Sequence, residues 1–316
     1  MTPARLPAHA TSLREVIGEH EVVAFSIGPS GESWIVLALE TLDYRSGNNL
    51  FAKTRHDAPQ RYRVLSVRDG QVEVDLTIEG EPFNIHLVQP FADGLLLACA
   101  RCCRRGPDDI DLNGRLYAMD GTFKRALLLG DGIESLHATR RGALWASYFD
   151  EGVFGNYGWD VPVGASGLVS WSAQGEKQYE FDAVGAPGSI SDCYALNVAT
   201  DDDVWCCYYT DFPLVHLRGG RVVSVWPNPV AGSHAFAVGA GHALFAGSHE
   251  AHHGFHLVQL GANGTGRLVR SFELHDDEGE RVRADRVDGR GSALHVLAGG
   301  VLHTVELGEV LRSHRR

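Results

Sequence analysis

Six times along the chain a short strand, a tight turn carrying Gly or Asp, and a strongly apolar strand follow one another. The unit first reads V-V-A-F-S-I-G-P-S-G-E-S-W-I-V-L-A-L (residues 22–39) and last reads A-D-R-V-D-G-R-G-S-A-L-H-V-L-A (284–298). Copies between them occupy residues 84–100, 135–148, 194–209 and 235–247. The matching positions Trp34, Leu96, Leu144, Val204, Leu244 and Leu294 lie 62, 48, 60, 40 and 50 residues apart. A second hairpin follows, as in R-L-Y-A-M-D-G-T-F-K-R-A-L-L-L (115–129). Four antiparallel strands repeated at roughly this spacing is the pattern of propeller blades, which bury their apolar faces only by stacking on neighbours. The expected fold is all-β, a six-bladed β-propeller, with a seven-bladed ring as the alternative.

Residues 21–311 are assigned to a single propeller domain, residues 1–20 to an N-terminal segment and residues 312–316 to a tail. The last copy runs out of chain after its third strand, V-L-H-T-V-E-L (301–307). A terminal segment must then close the ring, and residues 12–20 or 309–311 are the candidates. Helical periodicity is confined to residues 12–17.

With strands lettered A to D in each blade, the A–B and C–D connections are short Gly/Asp turns such as P-S-G-E, R-D-G-Q and M-D-G-T, which tolerate positive φ. The B–C loops are long: residues 40–60, 101–113, 150–166 and 248–254 in blades 1, 2, 3 and 5. In a meander these loops share an end with the crossings from D to the next A. Length on a rigid scaffold is where binding and catalysis concentrate.

The formal net charge is −12. An acidic surface repels phosphate backbones, so neither nucleic acid nor an anionic membrane is an expected partner. No apolar run approaches the roughly 18 residues of a membrane span. The opening M-T-P-A-R-L-P-A-H-A-T-S has no apolar signal region, and the expectation is a soluble cytoplasmic protein. Six cysteines without a two-CxxC pattern read as buried thiols.

The loop end collects the residues with chemistry. Y-F-D-E-G-V-F-G-N-Y-G-W (148–159) sets Asp150 and Glu151 among rings and is too glycine-rich to suggest a helix. G-D-G-I-E (130–134) brings Asp131 and Glu134, S-D-C-Y-A-L-N-V (191–198) brings Asp192 and Asn197, and Y-Y-T-D-F-P (208–213) brings Asp211. Asp150, Glu151, Asp192 and Asp211 are the candidate acid–base groups. Glu134, Asp192 and Asn197 are the candidate ligands of Ca²⁺ or Mg²⁺, which take carboxylate and amide oxygens; such an ion would polarise a carbonyl or activate water. Arg101, His137, Asn156, Trp159, Tyr208, Tyr209 and His234 are the candidate substrate contacts. The competing expectation is structural: the carboxylates cap turns, and Asp150-Glu151 is a loop clasp with its rings packed beneath. H-E-A-H-H (249–253) satisfies H-E-x-x-H, but that motif needs two helical turns and this loop is too short for them.

These four segments resemble those of a bacterial family, abundant in actinomycetes, of uncharacterised propeller-like proteins. The resemblance covers residues 84–240 and implies the fold without supplying catalytic residues. More distantly the layout is similar to six-bladed propellers of the gluconolactonase and strictosidine-synthase type. Gluconolactonase members hold a divalent cation through Glu, Asn and Asp, and their motifs find no residue-by-residue match here. Two functions are therefore expected. One is a polar and aromatic small-molecule site at the channel mouth, assisted by a divalent cation if it performs hydrolase or lyase chemistry. The other is a non-catalytic protein-interaction propeller.

Overall fold

Alternating runs of apolar residues and Gly/Asp turns give six four-stranded antiparallel sheets in the computed structural model, which describes residues 3–42, 44–46 and 51–314. The fold is a six-bladed β-propeller. The chain divides into two compact units of three blades each: residues 19–182 with 190–192, and residues 1–18, 183–189 and 193–316.

In the unit beginning at Glu19, blade 1 is formed by Glu21–Ile27, Ser33–Ala38, Arg55–Arg68 and Gln71–Phe83. Blade 2 is Leu87–Phe91, Gly94–Ala98, Gly114–Tyr117 and Phe123–Leu127. Blade 3 is Ile133–Ala138, Leu144–Tyr148, Leu168–Trp171 and Lys177–Glu180. The B strands Ser33–Ala38, Gly94–Ala98 and Leu144–Tyr148 are buried at every position. A strand covered on both faces has no reason to alternate, which is why these read as continuous apolar runs. The turns behave as their composition requires: Asp69 and Gly70 both take positive φ, 48° and 77°, as a two-residue hairpin needs.

In the other unit, blade 4 is Asp192–Val198, Asp203–Tyr209, Leu214–Arg218 and Arg221–Trp226. Blade 5 is Ala235–Gly239, His242–Ala246, Gly254–Leu260 and Gly266–Glu273. Blade 6 has three strands from the C-terminal region, Arg286–Arg290, Ala293–Ala298 and Val301–Glu306. Its fourth is His9–Ser12, antiparallel to Val301–Glu306 with His9 opposite Thr304 and Ser12 opposite Val301. The closing strand thus overlaps residues 12–20, one of the two stretches the sequence offered, only at Ser12, while Arg14–Ile17 is a single helical turn and residues 309–311 lie in the C-terminal helix. Ala4–Arg5 adds a parallel fifth strand to blade 5. The C-terminus is no tail from residue 312: the helix Leu307–His314 inserts Leu307 and Val310 into the core shared by blades 5 and 6.

Buried amides rivet the A strands inside each unit. Gln89 Nε2 donates to Ile27 O at 3.3 Å, and Ala138 N donates to Gln89 Oε1 at 2.9 Å, so one side chain joins three blades. In the second unit Asn197 Nδ2 donates to Phe236 O (2.7 Å) and Gly291 O (3.1 Å), while Gly291 N donates to Asn197 Oδ1 (2.8 Å). No helix among the described residues is long and apolar enough to cross a membrane.

Candidate functional site

The loops of blades 2 and 3 are organised by an ion-pair clasp. Arg101, the third residue past strand Gly94–Ala98, carries a guanidinium that is 11% exposed. Its Nη2 meets Asp131 Oδ2 at 2.8 Å and its Nη1 pairs with Glu151. Asp131 also accepts from Cys102 N at 2.8 Å. The guanidinium stacks over the rings of Tyr157 (4.1 Å) and Phe149 (5.1 Å), a geometry suited to its planar charge. Burial pushes the Asp131 carboxyl up to about 6, against the pull of Arg101.

Further bonds lock the same loops. Trp159 Nε1 donates to Cys102 O, Arg104 N to Tyr157 O, and Tyr157 Oη to Ala52 O, each at 2.8 Å. Asp111, fully buried, takes Arg55 at 2.7 Å and Arg105 at 3.2 Å. Asp150–Phe154 is a short helix, contrary to what its glycines suggested. The glycine is what admits it: a side chain on Gly132 or Gly152 would strike the backbone of the facing segment, so the turn sits directly on G-D-G. Most of the blade 1 loop, whose residues 43 and 47–50 fall outside the described set, carries none of the candidate residues.

Each candidate has a definite place. Glu151 pairs with Arg101 Nη1, while Arg101 Nε is buried without a hydrogen-bond partner among the described residues. Asp150 is exposed and accepts from Glu151 N at 2.7 Å. Asn156 accepts from Tyr157 N at 2.8 Å. Trp159 and His137 are buried, at 8% and 2% exposure. Glu134 lies half-buried in strand Ile133–Ala138, and Asp192 half-buried at the start of Asp192–Val198. Both ends of the Asn197 amide bond backbone in the interior, where the side chain is fully buried, so it is engaged as a rivet rather than offered to a cation. Among the described residues no three His, Cys, Asp or Glu side chains gather as a metal-binding group. All six cysteines are free, and only Cys103 is not fully buried.

The second unit has its own cluster. Tyr208 is buried and donates to Gly188 O at 3.1 Å, whereas Tyr209 is exposed, with its edge to Phe212 at 5.9 Å, and Asp211 is exposed. Tyr194 stacks on His234 at 5.0 Å and meets Phe212 edge-on. Phe212 holds the ring of His249 at 5.4 Å, and His249 N donates to Ala231 O at 2.9 Å. These contacts pin loop 247–253 to the crossing that precedes Ala235–Gly239. The H-E-x-x-H stretch is a turn, closed by Ala251 N donating to Ser248 Oγ and Gly254 N to Ala251 O. His252 and His253 then join His234 and Ser248 around a cavity of about 220 Å³, floored by Phe255 and Val296. Sequence reasoning reaches His234, and once the motif fails it leaves His252 and His253 to a solvated loop, with a His-rich loop that binds a metal or substrate as the alternative. It misses Gln89, whose partners lie in distant segments, and the pairing of Asp111 with Arg55 from blade 1.

The sequence model of the YxzG family matches residues 169–304. That stretch includes the segments at 191–198 and 208–213 but not those at 130–134 and 148–159. No curated protein matches the chain. Among solved structures, one titled as the mitotic checkpoint complex superposes with a TM-score of 0.53 at 8% identity, over 96% of this chain and 93% of that one. The β-propeller domain of Cps50 (Swd1) from Myceliophteria thermophila gives 0.50 at 10% identity, over 90% and 83%. At such identities the likeness is one of fold.

Proposed function

We propose that this propeller binds a small polar metabolite in the cavity walled by His234, Ser248, His252 and His253. The observation that carries it is the cavity itself, lined by three imidazoles, Ser248, Asp285 and Arg286 together with apolar residues such as Phe255 and Val296, beside a pinned loop. Its volume of about 220 Å³ is below the roughly 300–1,000 Å³ of drug-sized sites, which suits a small metabolite. Hydrolase or lyase chemistry at this site would use the imidazoles, the side chains suited to carrying protons near neutral pH. Catalysis by Asp150, Glu151, Asp192 or Asp211 has less support, since Glu151 is committed to Arg101. A Ca²⁺ or Mg²⁺ ion on Glu134, Asp192 and Asn197 has less support for the same kind of reason. Ligand-observed NMR against a library of small metabolites tests the proposal. Hits should vanish with Ala284→Phe, which fills the cavity from its lining; hits that persist in that variant count against it.

A second reading, protein recognition, is favoured by Phe154 and Val161, which stand 69% and 76% exposed on the locked blade 3 loop. Most other rings of that loop are turned inward. A partner retained by the wild type and lost by Phe154→Asp/Val161→Asp would support it; equal retention would not.

A further inference from the structure

A larger cavity, of about 760 Å³, lies under the N-terminal strands in the second unit, and its lining is unusual in charge. Arg5, Arg14 and Arg283 border it, and so do Asp276, Asp277 and Glu278. Opposite charges this near normally find one another. Here none of the six takes part in an ion pair among the described residues. Arg5 donates instead to Asp276 O at 2.7 Å and Arg14 to Gly299 O at 3.1 Å, main-chain bonds that fix where the guanidiniums stand. Asp276 accepts from Glu280 N at 2.8 Å, which shapes the acidic turn.

Two imidazoles complete the wall. His303, on strand Val301–Glu306, is 5% exposed and lines the cavity, and its side chain makes no hydrogen bond among the described residues. His275 also lines the cavity, but its Nε2 lies 3.9 Å from the Glu273 carboxylate and its Nδ1 is sealed from solvent. Buried polar groups are ordinarily satisfied. An imidazole held in a cavity wall without a partner is a donor and an acceptor waiting for a ligand.

We propose that this cleft is a second binding site, for a short peptide carrying both a positive and a negative side chain. The guanidiniums take the peptide's carboxylate, where bidentate charge-assisted bonds are strong. Asp277 and Glu278 take its ammonium or guanidinium. His303 supplies a hydrogen bond to its backbone. The volume falls within the roughly 300–1,000 Å³ of ligand sites, and the occupant must carry both signs because one sign alone would leave half the lining repelling it. The inference is independent of the His234 cavity.

Isothermal titration calorimetry with a set of tetrapeptides tests it. Each contains one lysine and one glutamate on an alanine background, blocked at both ends, in every order of the two residues. Peptides with two lysines or two glutamates serve as controls. At least one mixed peptide should bind at least tenfold more tightly than both controls. Arg14→Ala/Arg283→Ala and Asp277→Ala/Glu278→Ala should each weaken it tenfold or more, with unchanged thermal unfolding. His234→Ala should leave it untouched. No binding by any mixed peptide, binding no tighter than the controls, or binding indifferent to both double variants overturns the proposal.

Discussion

Arg101 is the residue on which the loop end of the first unit depends. Removing it leaves Asp131 buried beside no cation, and breaking a buried pair in this way costs about 3–5 kcal/mol. Arg101→Ala should therefore lower the unfolding free energy by about that amount, read by urea denaturation, with Asp131→Asn restoring part of the loss. The pH dependence has a definite sign. Burial raises the Asp131 carboxyl to about 6 in the folded chain, above the unfolded value near 3.9. Its contribution to stability is full below the unfolded pKa and is lost as pH rises through 6. Asp75 and Asp203, held low by Arg63 and by Arg218 with His216, act in the opposite direction, losing their contribution as pH falls. The difference between wild type and Asp131→Asn over pH 4–7 isolates the one residue: Asn should gain on the wild type as pH rises. Asp and Glu among rings were visible in the sequence as a cluster. The counter-ion of Glu151, 50 residues away, was not, because an ion pair between distant segments leaves no local pattern; the sequence marks Arg101 as a substrate contact instead.

At the scale of elements, the blades differ in what announces them. The B strands are legible because burial on both faces makes them continuously apolar. The closing strand His9–Ser12 is an edge strand with three of its four residues exposed, so it has no apolar alternation to notice. It matters nonetheless, since its loss would bare the edge of Val301–Glu306, and bare edges pair with other chains. A chain lacking residues 1–12 should form dimers or larger species in light scattering where the full chain does not. The A-strand rivets make a second prediction. Asn197→Leu would strand Gly291 N–H and two carbonyls in the interior, each orphan costing about 1–3 kcal/mol. A loss of at least about 3 kcal/mol in urea unfolding is expected for it, and of at least about 2 kcal/mol for Gln89→Leu, which orphans two groups. A conserved stability in either variant would mean that the amide is not structural. The helix Asp150–Phe154 escaped the sequence because its two-glycine contact, not its propensity, makes the turn affordable.

For the whole molecule, the repeat and the uneven lengths of its loops could be read from turn chemistry and spacing alone. What those loops do depends on which side chains satisfy one another, and that is decided by long-range packing. The account divides the two units by role. Arg101, Asp131 and Glu151 are spent in a clasp against the rings of Phe149 and Tyr157, while His252 and His253 line a cavity. One measurement separates these roles. Purified protein is equilibrated with a low-molecular-weight cell extract and desalted, and what it retains is identified by mass spectrometry for the wild type, Glu151→Gln and His234→Ala. The account predicts a retained metabolite in the wild type and in Glu151→Gln that is lost in His234→Ala; retention that survives His234→Ala and disappears with Glu151→Gln would contradict it.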